Sequence, residues 1–228
     1  MKKGYFITGT DTSVGKTYFS VALVHVLRNQ GKTVAVMKPV ASGGTYDSGE
    51  LRNEDAQLLL DASGLDIPYE LVNPYVFEAP VAPHIAAAEN NIKISLPYIV
   101  DAYNQLAAKA DVVVVEGVGG WHVPLVVDDE PSRYYSMVDL ALQLKLPVIM
   151  VVGMRLGCLN HALLTAQAIR GSKLKFYAWV ANTLEDEMPR YTENIESLKQ
   201  LIVEPLLAEI PFNATEQSIA RLLHKNNL

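Results

Sequence analysis

The run Gly9-Thr10-Asp11-Thr12-Ser13-Val14-Gly15-Lys16-Thr17 stands between a short apolar run, Tyr5–Thr8, and an amphipathic stretch, Thr17–Arg28. A strand, a glycine-bearing turn and a helix in that order are the context a phosphate-binding loop requires. The backbone N–H groups at a helix start are unpaired and point outward, and the helix dipole favours an anion there. Lys16 adds a point charge suited to β- and γ-phosphates, and the Thr17 hydroxyl suits Mg²⁺. A Gly-capped turn with a solvated lysine is the bland alternative. The spacing also has a peculiarity. The usual pattern places four residues between its first glycine and Gly-Lys; here Thr10 holds that place and Gly9 lies one position earlier, which narrows the subgroup of such loops.

Along the rest of the chain, short β-branched or aromatic runs alternate with helical patterns. The strand candidates are Tyr5–Thr8, Thr33–Met37, Val112–Val115, Val148–Val152, Tyr177–Ala181 and a short piece at Leu206–Glu209. The helical candidates are Thr17–Arg28, Asp55–Ala62, Pro97–Lys109, Tyr134–Leu144, Leu159–Arg170 and Arg190–Leu201. Several strands are apolar at consecutive positions, as parallel strands covered on both faces are. The alternation predicts one doubly wound α/β domain over residues 1–228, with a mainly parallel sheet and helices on both faces. Half of the 228 residues are hydrophobic, enough for one well-buried core. The least regular stretch is Gly64–Asn91. Rich in Pro and carrying Asn73-Pro74, Ala79-Pro80 and Ala82-Pro83 among its X-Pro steps, it reads equally as a long functional loop or as an irregular excursion.

The charge balance, 19 basic against 25 acidic residues for a net −6, argues against a general nucleic-acid surface. The one cysteine, Cys158, forbids an intramolecular disulfide and a multi-thiolate zinc site, and fits a reducing compartment. The N-terminal Lys2-Lys3 pair is followed by no apolar stretch of signal-peptide length, and no run approaches the ~20 residues that span a bilayer. The expectation is a soluble cytoplasmic protein with no membrane partner.

Four further residues are singled out by position. Glu116 follows four valines at the carboxyl end of an expected central strand, where open α/β sheets bind ligands. A charge placed there needs a partner such as a metal, and the following glycines let backbone approach a ligand closely. Asp55 precedes an apolar helical pattern; the residues alone favour a first-turn carboxylate complementing the dipole. Lys38 ends the second strand beside Pro39, Gly43 and Gly44, where it would face the reactive end of a nucleotide; a solvated strand-end lysine is the alternative. Asn182 ends a late strand, where its amide could read a base edge or form a turn. Cys158 reads as a small buried hydrophobe, Trp121 and Trp179 as core, and His84, His122 and His161 lack metal-ligand spacing.

Taken together, Gly9–Thr17, Lys38-Pro39-Val40-Ala41-Ser42-Gly43, Arg52-Asn53-Glu54-Asp55-Ala56, Val115-Glu116-Gly117-Val118-Gly119-Gly120-Trp121, Gly157-Cys158-Leu159-Asn160-His161-Ala162 and Trp179-Val180-Ala181-Asn182 resemble the dethiobiotin synthetases over essentially the whole chain. The resemblance implies a P-loop fold and an ATP- and Mg²⁺-dependent ring closure of 7,8-diaminopelargonic acid with CO₂ to dethiobiotin, ADP and phosphate. It implies Lys38 and Lys16 as catalytic residues, and Thr17, Asp55 and Glu116 as magnesium ligands. Ser13, Val14, Gly15, Tyr18, Gly117, Val118 and Gly119 would contact the nucleotide, with Asn182, Thr183, Pro211, Phe212 and Asn213 at its base. Thr12 and Ser42 would hold the diamine. Leu156, Gly157 and Asn160 would meet its carboxylate tail across a homodimer interface. Val118 departs from the alanine usual in the family, and Leu184–Asn194 matches poorly, so no substrate residue is assigned from that stretch.

The rival readings are weighed on motifs. A related amide-forming ligase would carry a glutamine-hydrolysing domain, for which 228 residues leave no room. An ATP-driven positioning or partition switch would carry lysine at the place of Asp11. A GTPase would place Lys and Asp within the Asn182–Glu185 segment, which has neither in place.

Overall fold

The computed structural model describes residues 4–128, 130 and 133–225. The lysine pair noted above, Lys2 and Lys3, lies outside them. The chain runs β1 (Gly4–Gly9), α1 (Lys16–Asn29), β2 (Val34–Met37), β3 (Val40–Ser42), β4 (Thr45–Asp47), β5 (Glu50–Arg52), α2 (Glu54–Ser63), α3 (Tyr69–Val72), β6 (Tyr75–Phe77), α4 (Pro83–Glu89), α5 (Leu96–Lys109) and β7 (Val112–Gly120). It continues through β8 (Pro124–Val127), β9 (Tyr134–Ser136), α6 (Met137–Leu144), β10 (Val148–Met154), α7 (Cys158–Gly171), β11 (Phe176–Thr183), α8 (Tyr191–Leu201), β12 (Leu206–Ile210) and α9 (Glu216–Lys225).

Six strands form one sheet in the order β12-β11-β10-β1-β7-β2, and every pairing in it is parallel. Strands β2 and β10 are buried at every position, which only cover on both faces achieves. The helices supply it, α1 packing with α2 and α9, α5 with α6, and α7 with α8. Trp179 and Trp121 are core residues as expected, Trp121 meeting Phe6 edge to face. The chain leaves β1 for β2, returns through β7, then crosses β1 to lay down β10, β11 and β12 outward. The direction of winding therefore reverses at β1, and the loop after β1 opens into the crevice created there. Among the described residues no helix is long and apolar enough to cross a membrane.

Five of the six sheet strands match the sequence expectation to within two residues; the sixth, β7, runs five residues beyond the expected Val115, so Glu116 lies within the strand and pairs with Ile7. Two further expectations need correction, and one element had none. The helical pattern over Tyr134–Leu144 begins as β9, paired antiparallel with β8; the helix starts at Met137, where Ser136 and Asp139 form a capping box. The stretch Gly64–Asn91 holds α3, β6 and α4 rather than irregular chain, with β6 parallel to β3 in a small second sheet. The C-terminal helix α9 went unread.

Candidate active site

The loop Gly9–Thr17 wraps the start of α1. Gly15 caps the helix at φ 88°, with no side-chain cap and no acidic residue in the first turn, so the N–H groups there are left to a ligand. The loop is braced from below by β10: Thr10 N–H donates to the Val151 carbonyl at 3.0 Å, and Gly153 N–H to the Thr10 hydroxyl at 3.3 Å. Arg155, just past β10, pairs with Asp11 at 2.5 Å. Asn182, from β11, donates to the Val14 carbonyl at 2.9 Å.

Beneath the loop lies a charge cluster. The Lys38 ammonium is 2.9 Å from Asp55 Oδ2 and 2.5 Å from Glu116 Oε1. The Thr17 hydroxyl donates to Glu116 Oε1 at 2.9 Å. Lys16 sits above, its ammonium on the Asp11 carbonyl at 3.0 Å. Lys16, Lys38 and Glu116 are 6%, 4% and 0% exposed. Burial pulls the Lys16 amine down to about 8, and the neighbouring Lys38 charge adds to the effect. Burial acts on Lys38 too, but Glu116 and Asp55 together outweigh it and hold its amine above the usual lysine value. Burial would raise Asp55; Lys38, Thr17 and Lys16 prevail and hold it below the usual carboxylate value.

The cluster floors a groove of about 1120 Å³. Its walls include Thr12, Ser42, Leu58, Pro80–Pro83, Val118 and Val123, together with Asn182, Thr183, Pro211, Phe212, Asn213 and Ile219. The volume exceeds the ~300–1,000 Å³ of common small-molecule pockets, leaving room for two reactants.

An AAA domain model matches residues 3–218. The chain is 47% identical to the ATP-dependent dethiobiotin synthetase BioD of Aromatoleum aromaticum, covering 92% of this chain and 90% of that one. It is likewise 47% identical to the BioD of Alteromonas mediterranea over 92% of each. The chain belongs to the ATP-dependent dethiobiotin synthetase family. Solved structures add the fold alone: a ParA family ATPase from Chlorobium tepidum at TM-score 0.54 and 14% identity, covering 98% of this chain and 95% of that one, and MinD bound to MinC from Aquifex aeolicus at 0.56 and 13%, covering 99% and 97%.

Of the residues that the dethiobiotin synthetase resemblance singled out, the structure gathers Thr12, Ser13, Gly15, Lys16, Thr17, Tyr18, Lys38, Ser42, Asp55, Val118, Gly119, Asn182, Thr183 and Pro211–Asn213 around one groove. Glu116 joins through Lys38 and Thr17. Val14 and Gly117 are buried beside the groove rather than lining it. Leu156, Gly157 and Asn160 lie outside it, at the start of α7, where Leu156 is 99% exposed. Among the wall residues that went unread are Leu58, Pro80–Pro83, Leu184 and Ile219. Their signal was the Pro-rich stretch before α4 and the amphipathic C-terminal pattern, neither of which names a partner.

Glu116 Oε2 is buried with no hydrogen-bond partner. A fully buried carboxylate with one oxygen unmet, beside a threonine hydroxyl and a half-exposed aspartate, is a donor set that suits Mg²⁺ arriving with a nucleotide rather than a metal held by protein alone. No group of three His, Cys, Asp or Glu side chains able to hold a metal occurs among the described residues.

Proposed function

We propose that this chain closes the ureido ring of dethiobiotin from 7,8-diaminopelargonic acid, CO₂ and ATP. The observation that carries the reading is Lys38: a buried ammonium fixed between Glu116 and Asp55, in the same groove as Lys16 and the α1 start. A phosphate grip alone needs one lysine; a second one, outside the loop, suits a reaction in which another anion meets the γ-phosphate.

In this reading an amine of the substrate adds to CO₂ and loses a proton, giving a carbamate. A carbamate oxygen attacks the γ-phosphorus and ADP leaves. The second amine then attacks the carbonyl of the mixed anhydride, and phosphate departs as the ring closes. The α1 N–H groups and Lys16 neutralise the β- and γ-phosphates. Lys38 holds the carbamate oxygen near the γ-phosphate and offsets charge as it builds there. Thr17, Glu116 and Asp55 would hold Mg²⁺, which supplies charge neutralisation on the phosphates. Thr12 and Ser42 line the part of the groove where the diamine would sit, and the buried Ser42 hydroxyl oxygen lacks a protein partner. Asn182 and Pro211–Asn213 would receive the adenine. Leu156, Gly157 and Asn160 would bind the carboxylate tail from a second copy of the chain, a role supported by their exposure and by the open start of α7.

The deciding experiment incubates purified protein with ATP, Mg²⁺ and bicarbonate, with and without the diamine. ADP release that depends on the diamine, with dethiobiotin formed in equal amount, is expected. Release independent of the diamine would refute the assignment and return the chain to the switch-like class.

A further inference from the structure

Lys38 stands one residue beyond the sheet. The last ladder pair of β2 is Met37 opposite Val115, and the next residue, Pro39, has no N–H. Lys38 is nevertheless buried, so its own N–H and carbonyl need partners other than water or a strand. Both partners come from the end of α3. The Lys38 N–H donates to the Val72 carbonyl at 2.7 Å. The Asn73 side-chain amide donates to the Lys38 carbonyl at 2.7 Å and to the Tyr75 carbonyl at 3.1 Å. Asn73 is itself 3% exposed, and its Oδ1 accepts from the Tyr69 hydroxyl at 3.0 Å.

The same hydroxyl accepts from the Asn53 N–H at 2.8 Å. Asn53 is the N-cap of α2, its side chain accepting from the Ala56 N–H at 3.3 Å, and Asp55 lies in the first turn of that helix. The Tyr69 ring is held in turn by the Arg52 guanidinium, 4.7 Å from its centroid. One phenol oxygen therefore joins the segment that fixes Lys38 to the cap of the helix that carries Asp55, and it makes one bond to each.

We propose that Tyr69, acting through Asn73 and Asn53, is a positioning residue that sets the Lys38 ammonium against the Asp55 carboxylate for phosphoryl transfer; the inference rests on the function proposed above. Removing the hydroxyl breaks two bonds at once and leaves the Asn53 N–H and Asn73 Oδ1 unmet in a buried place. The chain then relaxes on both sides of the ion pair, and small displacements of reacting groups are costly in rate.

The test compares wild type with Tyr69→Phe, which keeps the ring over Arg52, and with Ile169→Val, a core change in α7 away from the groove that serves as a stability control. For Tyr69→Phe, kcat for diamine-dependent ADP release is expected to fall about tenfold, and the Mg²⁺ concentration giving half-maximal rate to rise about threefold, with KM for ATP at saturating Mg²⁺ little changed. A second readout needs no turnover. Brief acetic anhydride labelling, resolved by peptide mass spectrometry, should acylate Lys38 about threefold faster in Tyr69→Phe as its ion contacts loosen. A lowered Tm with wild-type Lys38 labelling and wild-type kcat per folded molecule, as expected of Ile169→Val, would overturn the proposal. Should Tyr69→Phe not fold, Asn73→Ser is read by the same assays with the same expectations. If the wild type itself shows no diamine-dependent ADP release, the proposed function fails, and the labelling arm still decides: faster Lys38 labelling sustains the positioning role, equal labelling ends it.

Discussion

Helices α1 and α7 both have fourteen residues, both follow a central parallel strand, and both open on a glycine in the left-handed region, φ 88° at Gly15 and 95° at Gly157. Neither has a side-chain cap or an acidic residue in its first turn, so each leaves its leading N–H groups and positive dipole end open. Their surroundings differ. A methyl group built on Gly15 would lie 2.2 Å from Asn182 Nδ2, whereas one built on Gly157 meets nothing within 4 Å. Around the first start, strands β2, β7, β10 and β11 deliver Lys38, Glu116, Arg155 and Asn182; around the second, Leu156 stands in solvent. A helix start offers an affinity for anions of any kind. The chemistry comes from what other strand ends place opposite it.

The strongest way to break this comparison is Gly15→Ala. The substitution combines a left-handed backbone, costing about 1–2 kcal/mol for a residue with a Cβ, with a clash against Asn182. ATP affinity measured by calorimetry should fall at least about a hundredfold; near-normal affinity would mean that the α1 start is not a closed grip. A second measurement sharpens the electrostatic side. Lys16 is pulled down to about 8, below its unfolded value of 10.5, chiefly by burial. Its charge therefore costs folding stability below about pH 8, a cost relieved as the pH rises toward 10.5. Phosphates reverse that preference. At about pH 9, ATP binding should take up of the order of half a proton or more, seen as a dependence of binding heat on buffer ionisation enthalpy. No uptake, or release, would show that Lys16 does not carry the contact. Lys38 has the opposite sign: its raised value adds stability that is present below 10.5 and lost as the pH rises through its folded value. The smallest effect is expected of Gly157→Ala. The backbone strain of about 1 kcal/mol should lower Tm by a few degrees, and ATP affinity should stay as it was, because nothing crowds the site. KM for the diamine should rise about fivefold if α7 holds its tail; an unchanged KM would remove Leu156–Asn160 from substrate binding.

The sheet was legible because several of its strands are apolar at consecutive positions and its helices are not, a contrast that survives without knowledge of tertiary contacts. The phosphate loop, Lys38 and Glu116 were legible for a related reason: charged and glycine residues at the ends of apolar strands have few structural uses. Asp55 was not, since a first-turn acid on a helix is common; only its ion pair with Lys38 distinguishes it. Residues 64–91 escaped because α3, β6 and α4 are each too short to show a period, and β6 is stabilised by pairing with β3 more than thirty residues earlier in the chain. The wall from Leu58 and Pro80–Pro83 escaped because ordinary apolar side chains announce burial, not which cavity they face. Helix α9 escaped because its sequence is polar on average, and its apolar stripe matters only once it lies on α1.

The order of the sheet has a consequence for how the chain comes into being. Strand β1 is synthesised before the other strands of its sheet, yet its partners are β7 and β10, and Phe6 pairs with Val148, roughly 140 residues later. At about 5–20 residues per second, some 7–30 seconds separate translation of the phosphate loop from translation of the strand that braces it. The residues that grip the nucleotide are thus made long before the strand that braces them and become competent only after it, held back by the slow closure of distant parallel pairs. Nucleotide binding by a nascent chain would serve as a clock for the completion of the fold.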